Sequence, residues 1–300
     1  MKARAGALVA VPLVAALVSG CGGSSHHHAT ARTATDDVPE LRAQPPPSVA
    51  AKPHPPPRKP SRPVHAPPPR PLVGGNLGFV THGPRSARRL VALTFDADMT
   101  PGMLARLRAG AVRGWYDRSI VDYLRATGTP ATIFLTGLWA RTYRHVVHAL
   151  AGDPLFELEN HSYDHAAFEP QCYGLGVVAA PGQKLAEVVD ARQAIEAAGA
   201  PAPRYFRFPG GCHSAADLRL VASEGERPVG WDVVSGDPFQ PNAATVVHAV
   251  ESGVRPGSIV VMHIMGAPNA PATSQALRQI VPSLESRGFR FATLRRVLRG

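Results

Sequence analysis

Residues 90–98 read Leu90-Val91-Ala92-Leu93-Thr94-Phe95-Asp96-Ala97-Asp98, a short and largely apolar run that ends in two acids. Such a run is the pattern of a buried strand. If the chain stays extended through its end, side chains alternate in direction, so Asp96 and Asp98 face the same side. Two acids placed so can divide labour, one binding a metal and the other acting as a base. They would serve equally well as an exposed cap or turn before Met99-Thr100-Pro101.

The same grammar repeats along the chain. Residues 131–135, 155–159, 204–207, 228–234, 258–262 and 289–292 read as further strands. Residues 117–127, 138–150, 185–198, 215–223, 243–251 and 274–286 read as helices, the first with Gly128 as its stop and the third with Gly199. No internal repeat is visible. Alternation of strand and helix over about 210 residues predicts an α/β domain with a parallel sheet or barrel.

Polar residues gather where these strands end. The ends carry Asp96 and Asp98, His161-Ser162-Tyr163-Asp164-His165, Arg207-Phe208-Pro209-Gly210-Gly211, Asp232 to Asp237, and His263. In a parallel barrel the active site lies at the C-terminal ends of the strands, so these groups would converge. On a turn or a helix start, the spacing of His161 and His165 points both imidazoles one way. Two neutral imidazoles and a carboxylate make an open zinc site with a position left for water. With 13 histidines in the chain, one pair at that spacing is close to a chance event. Arg207 offers a guanidinium, and the Pro-Gly-Gly turn after it offers backbone N–H groups that can stabilise an oxyanion. A structural turn with a surface arginine is the plainer reading. His263 emerges from a buried strand, where a lone histidine is more often structural.

Taken in order, these segments resemble the motifs of the polysaccharide deacetylase family, carbohydrate esterase family four, over about residues 90–298. Thr94-Phe95-Asp96, His161 to His165, Arg207 to Gly211, Trp231 to Asp237 and Val261-Met262-His263 carry the likeness. The resemblance implies a distorted (β/α) barrel of about seven parallel strands. It implies a divalent metal, zinc in most members, held by Asp98, His161 and His165. Asp96 would be the base, oriented by Arg207. His263 would be the acid that protonates the leaving amine, and the Gly210 N–H would help stabilise the oxyanion. Two departures stand out. Ala97 separates two acids that the family sets side by side, and Val234 and Pro238 occupy places where the family has an Asp and a Trp. Either Asp232 or Asp237 would then tune His263. The converging motifs also bring Cys172 and Cys212 near one another, which predicts a disulfide bracing two loops of the site.

Composition separates this domain from what precedes it. The chain has 300 residues, with 32 Lys+Arg against 22 Asp+Glu for a net charge of +10. Residues 1–75 hold nine of the basic residues and three of the acids, so most of the excess lies outside the core, which argues against a nucleic-acid binder. Thirteen of the 31 prolines fall in residues 45–71, a stretch too poor in large apolar residues to fold. Lys2 and Arg4, an apolar stretch over 5–18 and Val18-Ser19-Gly20-Cys21 read as an export signal. Its end resembles a lipobox, with Cys21 lipidated, and an ordinary secretory signal is the alternative.

The expected organisation is a signal peptide over 1–20, a disordered basic linker over 21–75 and a catalytic domain over 76–300. The linker is a spacer, and its cations could also bind anionic wall polymer or lipid. The whole predicts a monomeric polysaccharide N-deacetylase anchored by lipid to the outer face of a bacterial cytoplasmic membrane and acting on a cell-wall glycan. An O-acetyl esterase acting on xylan is one alternative. A non-catalytic wall-binding lipoprotein is another, against which the full set of acids, His and Arg speaks.

Overall fold

The computed structural model describes residues 78–85 and 89–300. The signal, Cys21 and the proline-rich stretch lie outside the described residues. The strands are β1 (Leu90–Ala97), β2 (Ala131–Leu135), β3 (Phe156–Asn160), β4 (Tyr205–Phe206), β5 (Arg227–Pro228), β6 (Val233–Val234), β7 (Ile259–His263) and β8 (Arg290–Phe291). The helices are α1 (Pro101–Arg108), α2 (Arg118–Thr127), α3 (Gly137–Thr142), α4 (Arg144–Ala151), α5 (Pro181–Ala197), α6 (Ala215–Ser223), α7 (Ala243–Gly253), α8 (Thr273–Ser286) and α9 (Leu294–Val297).

Seven strands run parallel in the order β5-β4-β3-β2-β1-β7-β6, and β8 pairs with the start of β1. Strand order and connectivity together demand curvature. β5 and β6 lie at opposite edges, yet only residues 229–232 join them. Six flat inter-strand spacings would separate the edges by about 29 Å. The linking chain reaches about 18 Å at most. The sheet therefore curls into a half-barrel, the form taken here by the distorted barrel of about seven parallel strands that the resemblance implied. Residues 78–85 strap its seam, with Val80 paired to Val229 on one side and His82 to Ser258 on the other.

Alternation along β1 sorts its side chains. Val91, Leu93, Phe95 and Ala97 pack outward in the main core with Ile120, Leu124, Ile280 and Leu284 from the helices. Ala92 faces inward in a second cluster with Phe134, Val229, Ile259 and Leu294, and the inner file continues through Thr94 to Asp96. The apolar cluster fills the base of the half-barrel and leaves polar groups to its C-terminal rim.

Three local readings needed correction. Residues 138–150 form two helices, because the chain breaks at Tyr143, whose hydroxyl accepts the Trp115 N–H at 2.7 Å. Residues 228–234 are two short strands at opposite edges, because the chain crosses the seam between them. Residues 101–108 form a helix that the sequence reading passed over, capped by Thr100 and started by Pro101.

Candidate active site

Strand register sets the first pair. Asp96 lies opposite His263 across β1 and β7, so both side chains reach the same inner rim. Arg207, completely buried just after β4, donates from Nη1 to Asp96 Oδ1 at 2.6 Å. Its guanidinium also lies 3.9 Å from the centroid of the Phe134 ring, so it is held by charge on one side and by an aromatic face on the other. Only Asp96 Oδ2 remains to face the site.

The histidine pair sits on a turn rather than a helix, since Ser162 and His165 both have positive φ, at 68° and 64°. Neighbours hold this backbone. Asn160 Oδ1 accepts the Ser162 N–H at 3.0 Å, and Glu187 Oε2 on α5 accepts the N–H groups of Tyr163 and Asp164 at 2.8 and 3.1 Å. His161 Nδ1 donates to the Arg207 carbonyl at 2.9 Å, which fixes the tautomer and frees Nε2.

The Nε2 atoms of both histidines face Asp98. His161 Nε2 and His165 Nε2 each stand 3.4 Å from Asp98 Oδ1. That oxygen is buried and has no hydrogen-bond partner among the described residues. An orphaned buried carboxylate oxygen calls for a ligand. Two donors at about 2.1 Å from a tetrahedral ion stand about 3.4 Å apart, so the three residues fit a divalent metal. Electrostatics agree with that donor chemistry. Burial pushes the Asp98 carboxyl up, but His165, His161 and His263 outweigh it and hold the acid ionised. Burial carries His165 down to about 4, although Asp98 pulls the other way, so its imidazole is neutral.

His263 has its own acid. Its Nδ1 donates to Asp237 Oδ1 at 2.7 Å, and its backbone N–H to Oδ2 at 2.7 Å. Ser235 and Thr273 hydroxyls donate to the same carboxylate at 2.8 and 2.6 Å. Burial lowers the His263 pKa, but Asp237 overrides this and lifts it to about 10. His263 Nε2 points at the metal group, 3.9 Å from Asp98 Oδ2. Of the two acids left open by the sequence, Asp237 is therefore the partner. Asp232 instead bonds Arg85, Ser258 and the Ile259 N–H and ties the strap to β7.

Gly210 lines the same pocket of about 300 Å³, as do Asp96, Asp98, His161, His165 and His263. Its φ is 61°, and a Cβ there would lie 2.5 Å from Cys172 Sγ, so only glycine fits. Cys172 and Cys212 form the predicted disulfide, with Cα atoms 6.0 Å apart. The structure thus brings every predicted site residue together. Sequence reading missed the supporting shell of Asn160, Glu187, Ser235 and Thr273. Asn160 and Ser235 are polar residues beside or within a motif, whereas Glu187 and Thr273 lie far from any motif in sequence and gave no signal.

A curled parallel sheet with an Asp-His-His metal-type group, an arginine-held acid and an acid-held histidine at its rim is the architecture of a metal-dependent hydrolase. The polysaccharide deacetylase family model matches residues 83–229. A chitooligosaccharide deacetylase of Sinorhizobium fredii is 30% identical over 182 residues, covering 57% of this chain and 80% of that protein. A peptidoglycan-N-acetylglucosamine deacetylase of Bacillus cereus is 25% identical, covering 74% and 94%. A family 4 acetyl xylan esterase from Clostridium thermocellum, solved with a cobalt ion, superimposes with TM-score 0.55 at 25% identity, covering 70% and 90%. The chain belongs to the polysaccharide deacetylase family.

Proposed function

We propose that the protein is a metal-dependent N-deacetylase of a cell-wall glycan built on N-acetylglucosamine. The observation that carries this reading is the orphaned Asp98 Oδ1 between two histidine Nε2 atoms, flanked by Asp96 and His263. The similarity to chitooligosaccharide and peptidoglycan deacetylases supports the substrate class. Asp98, His161 and His165 hold the metal, which we assign as zinc from its two imidazoles, one carboxylate and open position. When bound, the ion supplies Lewis acidity to an acetyl carbonyl and to a water.

The chain supplies the rest. Asp96, with Oδ1 occupied by Arg207, takes the proton of the attacking water through Oδ2. The Gly210 N–H faces the oxyanion that forms on the acetyl carbon. His263, kept protonated by Asp237, delivers its proton to the leaving nitrogen. An amide needs that proton because an amine anion is a poor leaving group. Export by the N-terminal signal, lipidation at Cys21 and the basic spacer complete the proposal by placing the enzyme at the outer face of the membrane.

Acetate release from N-acetylglucosamine oligomers, peptidoglycan and acetyl xylan, with and without chelator, tests the reading. Chelator-sensitive release from the first two is the expected result. Release from xylan alone would favour the esterase reading, which the Clostridium thermocellum likeness supports. Release from none would leave the non-catalytic reading.

A further inference from the structure

The end of the half-barrel opposite the catalytic rim is built from the N-terminal ends of the strands, and it gathers arginine. Arg204 precedes β4, Arg227 opens β5, and Arg295, Arg296 and Arg299 lie on α9 and just after it. The backbone brings these segments together. Leu294 donates its N–H to Thr132 Oγ1 at 2.8 Å and Arg295 donates its N–H to Glu157 Oε2 at 3.0 Å, which seats α9 against the starts of β2 and β3. Glu159 Oε2 accepts the N–H groups of Arg204 and Tyr205 at 2.6 and 2.8 Å, which fixes the entry to β4. Arg227 is half-buried, and the other four arginines are exposed.

Two adjoining hollows result. One, of about 370 Å³, is walled by Arg204, Arg227, Arg295 and Arg299, with Tyr205. The other, of about 350 Å³, is walled by Arg295, Arg296 and Arg299, with Thr293 and Gly300. Arg295 and Arg299 stand in both. Of the five arginines, only Arg295 has an ion-pair partner among the described residues, Glu157 at 3.6 Å. The other negative group here is the terminal carboxylate of Gly300. Five guanidinium groups around two shared hollows therefore meet two carboxylates. Like charges so placed repel one another, and an anion seated between them removes that repulsion.

The chemistry of the walls selects the anion. A guanidinium presents a planar fork of N–H donors that matches two phosphate oxygens at once. Two hollows with a common wall suit two phosphates of one chain. A face that docks on a bilayer adds apolar side chains that enter the lipid. The exposed large apolar side chains among the described residues, Tyr173, Val177, Leu185, Val234 and Phe239, all come from other segments. Positive charge also continues beyond the face. Arg227 Nε donates to the Gly78 carbonyl at 2.6 Å, so the stretch over 45–71, with five cations and no acid, joins the domain here. We propose that this arginine face binds a linear polymer of phosphodiesters, with neighbouring phosphates seated in the two hollows. The domain thus grips an anionic polymer at one end while its catalytic pocket opens at the other. This site stands independently of the reaction assigned to that pocket.

The test is calorimetric titration of the full chain, carrying Cys21→Ser so that no lipid takes part, with poly(glycerol phosphate). Binding should weaken as salt rises. Arg204→Gln and the pair Arg296→Gln/Arg299→Gln should each lower affinity on the order of tenfold, the scale of a charge-assisted hydrogen bond. Arg106→Gln/Arg108→Gln removes the same charge from exposed arginines of α1 and should change affinity less than about twofold, because salt screens distant charges. Acetate release should be the same in all these variants, since none touches the catalytic pocket. No binding by the wild-type face would overturn the proposal. Equal losses in the α1 pair and the face variants would do so too, by showing attraction to net charge alone. Vesicles of phosphatidylglycerol in phosphatidylcholine supply the last arm. Tighter binding to them than to the polymer, lost in the same face variants, would give the face to a bilayer and overturn the polymer site. Arg204→Gln and the α9 pair alter separate segments, so either one decides should the other fail to fold.

Discussion

Asp237 grips His263 twice, through Oδ1 to the ring Nδ1 and through Oδ2 to the backbone N–H, both at 2.7 Å. One carboxylate thus sets both the orientation and the charge of the proposed acid. Asp237→Asn keeps the shape and removes the negative charge that lifts the His263 pKa. We expect kcat to fall by about 10²-fold or more, within the range of general acid–base contributions. The alkaline limb of the pH–rate profile should move to lower pH, because an uncharged partner no longer favours the imidazolium. A profile with an unmoved alkaline limb would remove His263 as the acid.

The metal group yields a second expectation. His161→Ala, His165→Ala and Asp98→Ala should each lose bound metal and activity. A ligand that binds only the folded state raises its stability, so stripping the metal should lower the wild-type Tm. The three variants should show no such drop on chelation. Metal analysis and thermal melts with and without chelator check both points. Full metal occupancy in the double histidine variant would displace the site.

Asp96 and Arg207 form a fully buried ion pair, so they should fail in different ways. Asp96→Asn retains an acceptor for the guanidinium and loses the base. Its expected signature is normal metal content with kcat down about 10²–10⁴-fold. Arg207→Met leaves the Asp96 charge buried without its partner, at a cost of about 3–5 kcal/mol in stability. Denaturant melts and acetate assays on the two variants separate the roles. Near-normal turnover in Asp96→Asn would assign the base elsewhere.

Local rules made some of these features readable and left others hidden. The direction of Asp96 and Asp98 followed from strand alternation alone, because β1 runs extended to Ala97. His161 and His165 were visible by spacing, but their meeting depends on a turn held by Asn160 and Glu187, which come from a strand end and a distant helix. Whether Asp232 or Asp237 reaches His263 depends on where the chain crosses the barrel seam, a fact of topology that no window of sequence contains. The helix break at Tyr143 is likewise tertiary, set by the bond to Trp115. The helix 101–108 was readable from its threonine cap and first-turn proline.

Glu226 makes stability depend on pH. It is completely buried beneath the histidine turn, facing Asn160 Nδ2 at 3.1 Å and Arg192 Nη1 at 3.3 Å, with Glu224 also nearby. Burial raises its pKa from the ordinary 4.5 to about 8, against the pull of Asn160 and Arg192. The folded state therefore keeps a proton that the unfolded chain has released. Stability should be unaffected by this group below about pH 4.5, fall as pH rises from there, and level off above about pH 8. Glu226→Gln should flatten that slope and gain stability toward the alkaline end. Denaturant midpoints at several pH values for both proteins test this, and parallel curves would show that Glu226 is ionised in the fold.

The disulfide should matter to stability and to the site in separable ways. Cys172 and Cys212 are 40 residues apart in sequence, and closing such a loop restricts the unfolded chain. In the chain-entropy model this is worth about 4 kcal/mol. The Cys172→Ser/Cys212→Ser variant should therefore melt at a markedly lower temperature. The bridge also joins the loop after the histidine turn to the turn that carries Gly210, where the half-buried Gly210 packs against Cys172. Once the tie is cut, the proposed oxyanion N–H loses its fixed position before the barrel unfolds. Activity should thus fall at temperatures well below the new melting point. Assaying wild type with and without reductant across a temperature series reads this directly. If activity and ellipticity were lost together, the bridge would serve the fold alone.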